Sequence, residues 1–85
     1  MPAKVFLIPK KVEKRFAKLP RHIQKRLPQE FIALKENPLL GEKLHGEASQ
    51  YRKYRIGDYR IIYEFHSKES LLEVIAIEHR QGVYK

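Results

Sequence analysis

Two residues, Gly57-Asp58, constrain this chain more than any others. They stand between "YRKYRI" (51–56) and "YRIIYEF" (59–65), two runs of the residue types that suit a pleated, half-buried strand. A two-residue linker that opens with glycine supplies the positive φ that hairpin turns demand. A polar "HSKES" turn and the apolar run "LLEVIAI" follow, so residues 51–77 read as a three-stranded meander. The last run is nearly all apolar, which predicts a central strand covered on both faces.

Upstream of Tyr51 the period is helical. "AKVFLI" (3–8) is a short strand stopped by Pro9, after which Val12, Phe16 and Leu19 fall at i, i+4 and i+7. That spacing is one apolar stripe on a short helix. Pro20 is suited to the first position of a second helix, whose apolar face is Ile23, Leu27, Phe31 and Leu34. Pro28 lies inside that pattern and predicts a kink or restart. Asn37-Pro38 closes the helix, and residues 39–49, with two glycines, read as a loop. The expected order is β-α-α-β-β-β. It describes an α+β fold with two N-terminal helices packed on one face of a small, mainly antiparallel four-stranded sheet. At 85 residues the chain makes a single domain, residues 1–85.

Charge narrows the function. The net charge is +8, concentrated in residues 10–26 (eight Lys/Arg against Glu13) and 51–60 (four against Asp58). Two basic blocks on a near-neutral background suit a polyanionic partner. There is no cysteine, hence no disulfide framework and no thiolate chemistry. No apolar run approaches the roughly 20 residues of a membrane span, and no targeting segment is evident. A soluble, cytoplasmic protein is expected.

Strand alternation sorts the hairpin. Tyr59, Ile61, Tyr63 and Phe65 form one face of their strand, and Arg60 points the other way. On the preceding strand Lys53 and Arg55 share a face, with Tyr54 and Ile56 opposite. Pairing across Gly57-Asp58 gathers Lys53, Arg55 and Arg60. Like charges across a sheet repel by a few tenths to about 1 kcal/mol per pair, which an anion between them relieves. The alternative is that these long side chains splay into solvent, pair with Glu64 or Glu73, and protect a sheet edge. The segment "IEHRQGVYK" (77–85) adds His79, Arg80 and Tyr84: a proton carrier, a bidentate phosphate holder, and a ring that stacks or donates a proton. His22, His45 and His66 show no spacing that suggests a metal site with His79, and no P-loop, Ser-His-Asp or zinc signature is present.

"YRIGDYRIIYEF" followed by "LLEVIAIEHRQGVYK" resembles the RelE/ParE superfamily of bacterial and archaeal toxins. There a basic strand, a Gly-Asp-Tyr-Arg turn, an apolar strand and a terminal His-Arg…Val-Tyr occur in this order. "NPLLGEKLHG" is similar to the family's linker, so the resemblance spans essentially the whole chain. The resemblance implies the toxin of a type II toxin-antitoxin system. RelE-like members cleave messenger RNA in the ribosomal A site, whereas ParE-like members inhibit DNA gyrase. The His79-Arg80…Tyr84 ending resembles the RelE-like branch.

That branch implies a metal-independent, ribosome-dependent endoribonuclease without a cofactor, its catalytic residues being Arg60, His79, Arg80 and Tyr84. Arg52, Lys53 and Arg55 are the RNA-binding strand residues, and which of them is the active-site counterpart stays open. Lys14 and Lys25, on the basic helices, are expected to grip ribosomal RNA phosphates. The expected partners are the ribosome with its mRNA and an acidic, flexible antitoxin, whose apolar anchors would use grooves beside Phe16 and Phe31. A gyrase inhibitor, or a non-catalytic RNA-binding module, are the alternatives.

Overall fold

The computed structural model describes residues 2–79. Strand β1 (Val5–Leu7) leads into helices α1 (Lys10–Phe16) and α2 (Arg21–Glu36). A two-residue strand β2 (Glu42–Lys43) and a single 3-10 turn precede β3 (Tyr51–Ile56), β4 (Tyr59–His66) and β5 (Leu71–His79). The sheet therefore has five strands where four are expected, in the order β1-β5-β4-β3-β2. The additional strand is short: Glu42 and Lys43 pair with Lys53 and Arg52 at one edge. Nothing in the composition of "LLGEKLHGEAS" announces it. The β1–β5 pair is parallel and the others are antiparallel.

Both helices lie on one face of the sheet. Val12 and Phe16 of α1, and Ile23, Leu27 and Leu34 of α2, are buried against Ile56, Ile61, Tyr63, Leu72, Val74 and Ile77. Phe31 joins the layers, its ring 5.0 Å from that of Phe6 and 5.5 Å from that of Phe16. The helix does not restart at Pro28: α2 runs through it from Arg21 to Glu36. The prolyl ring is exposed, so the Gln24 carbonyl, which loses its helical partner, stays on the solvent side. The Gln24 side chain ties the helices together, donating to the carbonyls of Ala17 (3.1 Å) and Leu19 (2.7 Å). Pro20 precedes α2 as its N-cap residue rather than opening its first turn.

The hairpin follows its turn. Only Gly57, at φ 60°, has positive φ within it, as a turn with glycine at its first central position requires. Ile56 then faces Tyr59, and Arg55 faces Arg60. Strand β5 departs from expectation. It lies between β1 and β4, but only Leu72, Val74 and Ile77 are fully buried, all toward the helices. Glu73, Ile75 and Ala76 are half-buried on the other side or at the switch. The spacing 72, 74, 77 breaks strict alternation because of a β-bulge: Ile62 pairs with Ala76 but Tyr63 pairs with Val74, leaving Ile75 as the extra residue. The strand beyond Ile75 is thereby turned over.

Candidate anion-binding face

The sheet face away from the helices carries the candidate site. Register sets Arg55 directly across from Arg60, and Arg60 directly across from Glu78, a row over three strands. The next row runs Glu42, Lys53, Ile62. Between them lies a shallow depression of about 380 Å³ bordered by Leu40, Glu42, Lys53, Arg55 and Arg60. Lys53, Arg55 and Arg60 thus come together as alternation predicts.

Their partners are incomplete. Lys53 Nζ is 3.8 Å from the well-exposed Glu42 carboxylate, an ion pair worth little in solvent. Arg55 Nε donates to the carbonyl of Gly57, 3.1 Å away in its own turn. Arg60 Nε is 3.3 Å from Glu78 Oε1, yet it is shielded from solvent and makes no hydrogen bond. The distance suits an ion pair while the N–H points out of line with the oxygen. An arginine with a buried, unsatisfied N–H beside a second arginine is a place where an anion gains more than it does at an ordinary surface.

Arg52 is not part of this face. It shares the parity of Tyr54 and Ile56, and its Nη1 donates to the carbonyls of Gly41 (2.7 Å) and Leu39 (3.4 Å). It holds the linker that enters the sheet. The same linker is pinned by the fully buried Tyr63, whose hydroxyl donates to Pro38 O (2.7 Å) and accepts from Gly41 N–H (2.8 Å). Burial raises the Tyr63 pKa above its ordinary value. Gly41 has no room for a side chain, since a Cβ there would lie 2.7 Å from the Tyr63 hydroxyl and 2.8 Å from the Lys53 carbonyl. Sequence reading missed this hub. A tyrosine on a core-facing strand position needs a hydroxyl partner, and that was the available signal.

His79 is also placed elsewhere. It pairs with Tyr59 and so shares the helix-side face with Ile61 and Ile77. Its ring stands edge-on to that of Tyr59 at 5.0 Å. The bulge in β5 causes this, exchanging the faces of Glu78 and His79. The carboxylates Glu42 and Glu78, which sequence reading did not place, stand beside the cations. Arg80 and Tyr84 lie outside the described residues. Lys14 and Lys25 are exposed on the helices, on the far side of the sheet from Arg60. The two basic surfaces approach each other at the hairpin turn, where Arg26 Nη1 lies 3.6 Å from the position of a Gly57 Cβ. Behind that turn the Tyr54 hydroxyl donates to Glu30 Oε1 at 2.6 Å, and Arg26 pairs with the same carboxylate at 3.1 Å. The bond to Glu30, with burial second, pushes the Tyr54 pKa up to about 12.

A helix-backed sheet whose open face lines up cations around a shallow depression defines a small basic α+β domain. Its family follows from comparison. Residues 6–84 match the family model described as the ParE toxin of type II toxin-antitoxin system, parDE. The chain belongs to that family and is a RelE/ParE superfamily toxin. Its fold is similar to that of the toxin-antitoxin complex RelBE2 of Mycobacterium tuberculosis, with TM-score 0.81 and 23% identity over 96% of this chain and 95% of that one. It also resembles the archaeal RelE-RelB complex of Pyrococcus horikoshii, at 0.79 and 24% over 95% and 99%. For the isolated Escherichia coli RelE toxin the values are 0.78 and 18% over 93% and 86%. No curated protein sequence matches the chain. Among the described residues, no helix is long and apolar enough to cross a membrane.

Proposed function

We propose that this toxin cleaves messenger RNA on the ribosome and that an acidic antitoxin holds it in check. The observation that carries the reading is the register-locked cluster of Lys53, Arg55 and Arg60 on the open face. RNA is cut without metal when its 2′-hydroxyl attacks the adjacent phosphorus and the 5′-oxygen departs. The products are a 2′,3′-cyclic phosphate and a 5′-hydroxyl. The transition state gathers negative charge on phosphorus, and preorganised cations are the largest means of stabilising it. Arg60 and Arg55 present that charge to one phosphate, with Lys53 beside the next position along the strand. Glu78 or Glu42 takes the hydroxyl proton under this reading, Tyr84 gives a proton to the departing 5′-oxygen, and Arg80 adds positive charge at the phosphate. His79 supports the site by packing on Tyr59 rather than by touching RNA. Arg52 acts on the linker, and Lys14 and Lys25 contact ribosomal RNA phosphates.

A primer-extension assay on translating ribosomes tests this. Cleavage by the wild type is expected to fall ~10²–10³-fold in Arg60→Ala, with ribosome binding retained. Lys14→Ala and Lys25→Ala should instead weaken binding and flatten its salt dependence. Intact message in the presence of folded, antitoxin-free toxin would sink the proposal. The second reading is a gyrase inhibitor, favoured by the parDE description of the matching family model. It predicts blocked supercoiling and growth inhibition indifferent to Arg60→Ala. An antitoxin partner is supported by the complexes with antitoxins among structurally similar proteins. The apolar groove lined by Phe16, Leu27, Pro28 and Phe31 is the proposed seat for its anchors.

A further inference from the structure

The open face has a second cluster at the end remote from Gly57, and it is opposite in sign. Glu64 of β4 lies directly across from Glu73 of β5, and His66, two residues along β4, projects on the same side. His66 Nε2 is 3.1 Å from Glu73 Oε1, and Nδ1 is 3.7 Å from Glu64 Oε2. One ligand atom from each of the three residues lies within 4.8 Å of the others. We propose that Glu64, His66 and Glu73 form a binding site for a divalent cation of the zinc class.

Three physical arguments carry this. First, two like charges directly across a strand pair repel, and the chain does not use its surplus of basic residues to separate them. Among the described residues, every ion pair made by Glu64 or Glu73 is to His66.

Second, both ring nitrogens of His66 face a carboxylate. Each nitrogen therefore reaches a point it shares with a glutamate oxygen, which is the placement a bound cation requires.

Third, the backbone arrangement is rigid where a metal site needs it to be. Two ligands at i and i+2 share one strand face, and the third stands across on the paired neighbour, so three side chains converge without a loop. One imidazole nitrogen and two carboxylate oxygens suit zinc, bound at about 2.0–2.2 Å with a fourth position left for water or a partner's group. Rotation of the two flexible glutamates closes the remaining distance. All three residues are half-buried, which limits competition from water.

The test is calorimetric titration of the whole chain with zinc chloride in phosphate-free buffer, with thermal unfolding in parallel. One equivalent is expected to bind and to raise Tm by a few degrees, because a ligand of the folded state stabilises it by mass action. His66→Asn and the near-isosteric Glu73→Gln should each abolish the shift while the metal-free proteins stay folded by circular dichroism. His22→Asn/His45→Asn should keep it. Zinc-edge X-ray absorption of the loaded protein should report one imidazole among oxygen ligands. Absence of saturable binding would overturn the site, as would a shift that survives both His66→Asn and Glu73→Gln. The readouts use no RNA, so the metal site and the nuclease reading fail separately.

Discussion

On the helix-covered side of the sheet, Tyr54 and Tyr63 each reach a definite partner across the layer: Glu30 for one, Pro38 and Gly41 for the other. On the open side, Arg55 confronts Arg60, and Glu64 confronts Glu73. The same strands carry both arrangements, alternating residue by residue. On the covered side these buried hydroxyls are satisfied, since an unmet buried group costs about 1–3 kcal/mol, whereas on the open side the shielded Arg60 Nε makes no hydrogen bond. Where register has set like charges together, the fold leaves the balance to something outside the chain. The difference separates residues that hold the molecule from those the proposed function assigns to a ligand, even where they are adjacent in sequence, as Arg52 and Lys53 are.

The largest test of that division is Leu72→Ala. Leu72 is fully buried on the covered side, and its truncation should cost about 2–5 kcal/mol in urea denaturation. Anion affinity of the remaining folded protein should be unchanged. Tyr63→Phe comes next: it strands the Pro38 carbonyl and the Gly41 N–H, and should destabilise by about 1–3 kcal/mol. Polyanion binding, read by titration at fixed salt, should hold.

Tyr54 adds a pH dependence of known sign. Its folded-state pKa, pushed up to about 12 from 10.0, keeps the hydroxyl protonated where the unfolded chain has begun to lose it. The contribution is complete below about pH 10 and is lost as pH rises from 10 toward 12. Denaturation midpoints between pH 9 and pH 11.5 should fall less steeply for Tyr54→Phe than for the wild type. The smallest effect belongs to the open side. Arg55→Ala removes a like-charge neighbour and should leave stability unchanged or raise it by a few tenths to about 1 kcal/mol, while phosphate-dependent binding declines. A loss of stability there would break the comparison.

Much of this division could be read from residues alone. The two-residue turn pins the hairpin, so Arg55 and Arg60 could be set face to face by counting, and the same count shows Arg52 on the side of Tyr54. The helical faces followed from apolar spacing. Pro28 does not restart the helix because its usual penalty assumes an interior site, and here the proline is exposed. The face of His79 was not readable. In "LLEVIAI" nearly every position is apolar, so hydropathy carries no phase across Ile75, and alternation counted from Leu72 gives the wrong side by the end of the strand.

That single extra residue at Ile75 works as a reading-frame shift written in three dimensions. Upstream of it the even-numbered positions Leu72 and Val74 belong to the core, whereas downstream the odd-numbered Ile77 and His79 turn that way. Smoothing this bulge with Ile75 kept in the ladder would slide the end of the strand by one residue, turning Glu78 toward the helices and His79 toward the open face without altering either side chain. A chain built on this sheet can therefore change which side chain its open face presents through strand register alone. The chemistry of a face becomes a matter of parity, and comparisons of such chains by aligned letters would miss the change entirely.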